Sequence, residues 1–281
     1  MTVLSVCNHK GGTGKTTSAI HLAASLGLSG WRTLVIDLDP QGFLSRTMGV
    51  EEEDPERSVA ALFGPEPSLE SIPFRERSGF DLLPSSTTLT KRMRDLNKPT
   101  DVLWVREALQ QADLEHDVVL FDTAAAVTVY SLNALVASQH VVVPVLPEYQ
   151  SVVGAEQTFQ TVDLVQNKLN PLLESRWFLL TQVDGRKRIH RTYQQYLRDK
   201  YGPAVLESVI RTSTALAESR EGGTTVFDHD PRARGARDYA NAADELVRRI
   251  RGDEAPEAPE EPASSATVPD EVPLPNEVLN S

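Results

Sequence analysis

Along most of the chain, short apolar runs rich in β-branched residues alternate with longer stretches whose apolar positions recur at helical spacing. The runs fall at residues 3–6, 33–36, 80–83, 118–121, 141–145 and 178–180, and several are continuously apolar, as strands covered on both faces are. The helical patterns fall near 16–29, 101–114, 129–137, 151–168, 188–200 and 235–251. This alternation predicts an α/β fold: a doubly wound, mostly parallel sheet with helices on both faces. Residues 55–73, rich in Glu and Pro, read as a surface insertion carrying one short helix around 60–63. No internal repeat is visible.

From Gly252 the chain turns to Glu, Pro, Ala and Ser, too few apolar residues to offset the entropy of ordering. One globular domain, 1–251, is therefore expected, followed by a disordered acidic, Pro-rich tail, 252–281. The tail changes how the net charge of −12 is read. It holds eight acids and no base, so the domain carries 28 bases against 32 acids and its bases are free to cluster. Cys7 is the single cysteine, which excludes an intrachain disulfide and fits a reducing cytoplasm. The N-terminal apolar run reaches His9 and Lys10 too soon for a signal segment or a spanning helix.

Residues 8–17, Asn-His-Lys-Gly-Gly-Thr-Gly-Lys-Thr-Thr, stand directly after the first strand and before the first helix. That is the context of a phosphate cradle. Gly11, Gly12 and Gly14 allow a tight turn whose amides, with those of Thr13 and Thr17, converge on phosphate oxygens. Lys15 is placed for the β and γ phosphates, and the Thr16 hydroxyl for Mg2+. The ordinary loop has glycine where His9 stands, so a variant, Lys-Gly-Gly-Thr-Gly-Lys-Thr, is present. After the second strand come Asp37 and Asp39, which alternation puts on one side of the chain before Pro40 breaks the strand. Asp122 closes the apolar run 118–121, the place of an acid that holds Mg2+ through water.

This variant loop resembles the deviant Walker A motif of the ParA/MinD superfamily of P-loop NTPases, and the likeness extends through residues 37–42, 131–135, 143–149 and 230–236 to ParA/Soj partitioning ATPases. It covers essentially residues 2–250. The resemblance implies ATP and Mg2+ as cofactors and an ATP-sandwich dimer in which Lys10 reaches the partner's nucleotide. It further implies that Asp39 positions the attacking water, that Asp37 supports the metal shell and that Asp122 is the Walker B acid. The family follows that acid with a small residue and two prolines; this chain has Thr123-Ala124-Ala125-Ala126. Where relatives carry Pro-Arg-Asn, this chain has Arg211-Thr212-Ser213, leaving Arg211 and Ser213 as the candidates for adenine contact.

Bases gather at Arg186, Lys187, Arg188 and Arg191 and again at Arg211, Arg220, Arg232, Arg234 and Arg237. The first four, with Arg211 and Arg220, are the candidate contacts to DNA phosphates; Arg232 and Arg234 also suit a structural role near the nucleotide. The six histidines lack metal-ligand spacing, and Tyr193 and Tyr196 suit packing. The function expected is an ATP-dependent DNA segregation switch: a homodimer that binds DNA non-specifically and is released by a ParB-like centromere-binding protein. Its place would be the cytoplasm, on the nucleoid, away from membranes. A MinD-like membrane switch would end in a basic amphipathic helix, whereas this terminus is acidic, and the iron-protein branch needs cluster cysteines. A ligase on the same fold, or a ParA-like ATPase with another cargo, remains open. With no segment before the first strand, operator-specific binding is not expected.

Overall fold

The computed structural model of the chain describes residues 1–64 and 68–252. Its compact unit is Met1–Val247, with Arg248–Ser281 a second unit; the expected acidic tail, apart from Gly252, lies outside the described residues. The chain begins with β1 (Thr2–Val6), α1 (Lys15–Leu28), β2 (Thr33–Asp37) and α2 (Phe43–Thr47). Then follow β3 (Arg75–Arg77), β4 (Phe80–Leu83), α3 (Thr88–Arg92), α4 (Trp104–Gln111) and β5 (Val118–Asp122). The second half holds α5 (Val129–Ala137), β6 (His140–Val145), α6 (Tyr149–Lys168), β7 (Ser175–Val183) and α7 (Arg188–Tyr201). It ends in β8 (Val205–Arg211), α8 (Thr214–Glu221), α9 (Val226–His229) and α10 (Arg234–Arg251).

The strands form one sheet in the order β3-β4-β2-β5-β1-β6-β7-β8, parallel except for β3 against β4. From β1 the chain crosses to β2 on one side, while β6 lies on the other. The carboxyl end of β1 is therefore a switch point, where an open α/β sheet leaves a crevice. Register fixes what meets there: Val6 and Asp37 both pair with Asp122, so the phosphate-loop entry and two carboxylates share one level. β2, β5 and β6 are buried throughout, which explains their continuous apolar sequence.

Residues 55–73 depart from expectation. Two short 3-10 turns, Pro55–Arg57 and Val59–Phe63, stand there, and Val59, Ala60, Leu62 and Phe63 are buried in the cluster around Leu34, Ile36, Val105 and Phe121. Phe63 meets the Tyr130 ring edge-on at 4.8 Å. Residues 59–63 are therefore a plug of core and not part of a surface insertion.

Edge strand β8 is covered by α10. Glu245 accepts the backbone N–H of Glu207 and of Ser208, each at 2.8 Å, and Asp238 accepts that of Arg211 at 2.9 Å. Two buried carboxylates on one face of α10 thus occupy donors that an edge would otherwise present.

α1 is held near its C-terminus and along its middle. Near its C-terminus a Cβ built on Gly27 would stand 1.6 Å from the carbonyl oxygen of Gly79 in the β3–β4 turn. Along its middle His21 stacks on Tyr239 of α10 with centroids 5.1 Å apart, and Ser18 shares a 3.1 Å hydrogen bond with the Tyr239 hydroxyl. The His21 Nδ1 lies 2.7 Å from the Thr17 carbonyl, an acceptor only, so Nδ1 carries the proton; buried Nε2 has no partner among the described residues. Burial lowers the His21 pKa to about 4.

Gly27→Ala should destabilise the fold by about 3 kcal/mol or more, because helix and turn backbones must separate; an unchanged urea midpoint would contradict the contact. His21 gives a pH dependence of known sign. Between its ordinary pKa of 6.5 and about 4, the unfolded chain binds a proton that the folded chain refuses, so stability falls as pH drops through that window. From about pH 7 to about pH 5 this amounts to roughly 2 kcal/mol. A His21→Asn variant should lose that slope, so the stability difference between variant and parent should shift by this amount; a pH-independent difference would refute it.

Candidate functional site

Side chains hold three carbonyls of the loop from Cys7 to Gly14. Thr181 donates its hydroxyl to Thr13 O at 2.8 Å, Gln182 Nε2 donates to Gly12 O at 2.8 Å, and Lys15 Nζ donates to Lys10 O at 3.1 Å. Asn8, fully buried, donates to Pro144 O at 2.8 Å and accepts the Lys10 amide at 2.9 Å, fastening the loop to the end of β6. With the carbonyls held this way, no backbone N–H from Gly11 to Thr17 has a hydrogen-bond partner among the described residues. Gly12 and Gly14 make the turn possible at φ +76° and +85°, and Gly14 caps α1 in the left-handed conformation. A row of free amides ending on a helix N-terminus is an anion site.

Those residues open onto a cleft of about 650 Å³, lined at one end by Gly11, Gly12, Gly14, Lys15, Thr16 and Thr17 and elsewhere by Asp39, Ala125, Gln182 and residues of β8 and α8. Lys15 is buried, and desolvation lowers its pKa against the pull of Asp122 and other neighbours. Asp122 is completely buried; its Oδ2 accepts the Thr16 hydroxyl at 2.8 Å, while Oδ1 has no partner among the described residues. Burial first, then the neighbouring Asp37, pushes its pKa well above the usual carboxylate range. A buried carboxylate oxygen without a donor, beside a threonine hydroxyl and free amides, fits Mg2+ held through water. Thr16 and Asp122 are the residues that would hold it.

Asp37 is engaged differently. Its Oδ2 accepts both the amide and the hydroxyl of Ser45, at 2.9 and 2.6 Å, and its Oδ1 accepts the Asp39 amide at 3.2 Å. Burial raises its pKa to about 6 although the Ser45 bonds oppose this. The carboxylate thus anchors α2 beside the phosphate loop. Asp39 lines the cleft with one oxygen accepting the Gln41 amide at 2.9 Å, and its carbonyl accepts the Ser85 hydroxyl at 2.7 Å.

Lys10 faces away from this arrangement. It is exposed, and its Nζ reaches Gln150 Oε1 at the start of α6, 3.3 Å away. Gly154 of α6 leaves room for its stem: a Cβ there would approach Lys10 Cβ to 3.0 Å. Exposed Phe43, Val127 and Tyr149 belong to the segments that follow Asp39, Asp122 and β6.

The basic residues divide. Arg186, Lys187, Arg188 and Arg191 gather at the β7–α7 connection and the first turn of α7. Arg186 forks onto Asp184 at 3.0 and 2.9 Å, Lys187 reaches Glu148 at 3.3 Å, and Arg191 donates to Gly185 O at 2.6 Å. Glu148 also meets buried His190 at 3.2 Å, and hydrogen bonds from His190 and Lys187 hold its carboxyl below the usual range. Arg211 and Arg220, grouped with these bases by sequence, instead line the nucleotide cleft, Arg211 bonded to Asp238. The Arg211 guanidinium forks onto Asp238 at the edge of this cleft. Ser213 also lines the cleft and does not spend its hydroxyl on capping α8.

Sequence reasoning missed Asn8, Ser45, Gln150, Gly154, Thr181, Gln182 and Asp238. Gln182 is the described non-glycine residue with positive φ, +52°, at a register break between β7 and β8, and neither feature has a local sequence signal.

A family model described as an AAA domain matches residues 1–175. The chromosome-partitioning ATPase Soj of Thermus thermophilus is 38% identical over 248 residues, 88% of this chain and 96% of that protein. The sporulation initiation inhibitor protein Soj of Bacillus subtilis is 33% identical over 252 residues, 87% of this chain and 98% of its own length. Among solved structures, cobyrinic acid a,c-diamide synthase from Mycobacterium smegmatis with bound ADP and magnesium is similar at a TM-score of 0.77 and 29% identity, over 90% of this chain and 96% of that one. The free amides, the paired lysines and the carboxylates at one level of the sheet therefore stand within a likeness that runs nearly the whole length of both Soj proteins, and the chain belongs to the ParA/Soj family of ATPases.

Proposed function

We propose that this ATPase works as a DNA-partitioning switch: ATP closes a homodimer, the dimer binds DNA non-specifically on the nucleoid, and hydrolysis stimulated by a ParB-like centromere-binding protein releases it. The observation that carries the reading is the opposed placement of two lysines five residues apart. Lys15 is buried within its own loop, whereas Lys10 is exposed and turned to Gln150. A cation on the lip can neutralise the triphosphate of a second copy, which otherwise opposes bringing two anionic sites together. Exposed Phe43, Val127 and Tyr149 offer apolar area for the same closure.

Within one site the residues divide the work. The amides of Gly11 to Thr17 and Lys15 take the phosphates; Thr16 and Asp122 hold Mg2+; Asp39 orients the attacking water; and Asp37 fixes the switch segment through Ser45. Bound Mg2+ would neutralise charge on the phosphates. Arg186, Lys187, Arg188 and Arg191 form the surface offered to DNA phosphates. Arg188 has no side-chain partner among the described residues, and the ion pairs on its neighbours are exposed, so they exchange readily for phosphate.

With a non-hydrolysable ATP analogue, sedimentation should show the parent as a dimer, Lys10→Ala as a nucleotide-bound monomer and Lys15→Ala as nucleotide-free. Asp39→Ala should dimerise on ATP itself and turn it over no faster than background. A dimeric Lys10→Ala would overturn the role given to Lys10. For DNA, log affinity against log salt should fall with a slope of about −0.9 per phosphate neutralised, and Arg186→Ala with Arg188→Ala should make it shallower by about 2. Equal binding of DNA in ADP and ATP would refute the switch.

A further inference from the structure

Thr181 and Gln182 are consecutive residues at the end of β7, and a regular strand sends consecutive side chains to opposite faces. Here both reach the phosphate loop. The Thr181 hydroxyl donates to Thr13 O and Gln182 Nε2 donates to Gly12 O, each at 2.8 Å. Leu180 pairs with Val209 and Val183 with Arg211, so β7 carries one residue more than β8 over that interval, a bulge of the kind that re-aims a side chain. Within it Gln182 takes φ +52°, a left-handed conformation that a Cβ disfavours. Thr181 is buried, whereas Gln182 is exposed and lines the cleft, so burial of its side chain does not explain that conformation.

The two acceptors show what the contacts govern. The carbonyl and the amide of one trans peptide point in opposite directions. A bond that fixes Gly12 O therefore also fixes the direction of the Thr13 N–H, and the bond to Thr13 O does the same for the Gly14 N–H. Both amides belong to the row without a partner among the described residues. Gly12 is where the first of these peptides could turn over: its φ is +76°, and a Cβ built on it would meet nothing within 4 Å. Turned over, the peptide would present a carbonyl where an anion needs a donor.

We propose that Gln182 is a positioning residue for ATP binding: its side-chain amide keeps the peptide between Gly12 and Thr13 turned with its N–H toward the triphosphate. The bulge and the left-handed backbone deliver that amide from 170 positions further along the chain. The inference rests on the phosphate reading of the loop and adds to it a residue outside the motif.

Calorimetric titration of the full chain with a non-hydrolysable ATP analogue and with inorganic tripolyphosphate, each with Mg2+, reads the phosphate end of the cleft, and urea unfolding reads the fold. Gln182→Ala loses the amide and keeps a Cβ on the left-handed backbone; Gln182→Gly loses both. Each variant should weaken both ligands about fivefold, the effect of one neutral hydrogen bond. The glycine variant should nevertheless have the higher urea midpoint of the two. Parental affinity in Gln182→Gly overturns the inference. So does an affinity that follows the urea midpoint, lost with alanine and restored with glycine, because Gln182 would then serve the fold alone. A loss confined to the analogue also overturns it, since the contact would then be to the nucleoside. If the parent bound neither ligand, the phosphate reading of the loop would fall before any variant was compared.

Discussion

Two kinds of unsatisfied polarity face each other at the carboxyl end of β1. On one side are the amides of Gly11 to Thr17, and on the other is a buried Asp122 carboxylate with one oxygen unpaired among the described residues and Asp37 alongside in register. Protein groups alone do not balance this arrangement. Lys15 is a single cation shared among Asp122, Asp39 and the phosphate loop, and its own burial works against its charge. The raised pKa values of Asp37 and Asp122 express the same deficit: burial disfavours the charge on each, and Asp37 adds to the rise at Asp122. A triphosphate with a divalent cation answers both sides at once, anion to amides and cation to carboxylate, so ligand chemistry follows from the polarity of the fold.

The same deficit accounts for the way the switch segment is held. The Asp37 oxygens are spent on Ser45 and the Asp39 amide, and the Ser45 hydroxyl in turn receives the Ser85 amide at 2.9 Å. This chain of short bonds joins the ends of β2 and β4 to α2, whose first residue, Phe43, is exposed beside the cleft. After β5 the anchoring takes another form. Where the family has prolines this chain has Ala124 and Ala125, which do not restrict the backbone, but Thr128 and Ser131 form a reciprocal capping box at the start of α5 and Ser131 also donates to Ala126 O at 3.0 Å. Hydrogen bonds at the helix entrance do part of what a stiff turn does elsewhere.

What could be read from sequence was whatever local pattern encodes. The strand runs, the long helices and the phosphate loop carry their signal within a few residues, and the structure has them where the pattern put them. Short elements such as β3, α2 and α9 were invisible because three to five residues hold no periodicity. β8 was missed for another reason: Val205, Leu206 and Ile210 are buried, but Glu207 and the half-buried Ser208 break the run. The segment 59–63 was misplaced because its Pro and Glu flanks outweighed an apolar run that fills the core. At the site, residue types were legible and partners were not. Nothing near Asp37 announces Ser45, and nothing near Arg211 announces Asp238, 27 residues on. Charge alone grouped Arg211 with DNA contacts; only the fold reveals its fork onto Asp238.

The late helix α10 shows why the site depends on the complete domain. Its Tyr239 stacks on His21 and bonds Ser18 of the helix that follows the phosphate loop, its Asp238 fixes Arg211, and its Glu245 covers the edge of β8. These contacts bridge more than two hundred residues of sequence between α1 and α10, and they form late in any folding order that favours local contacts. Before α10 docks, His21 and the donors of β8 lack their cover and one wall of the cleft is missing. Nucleotide binding energy is therefore available only to the finished fold, and it stabilises both ends of the chain by mass action rather than the phosphate loop alone. A loop motif of ten residues identifies the chemistry, but the last described helix determines whether that motif has a cleft in which to act.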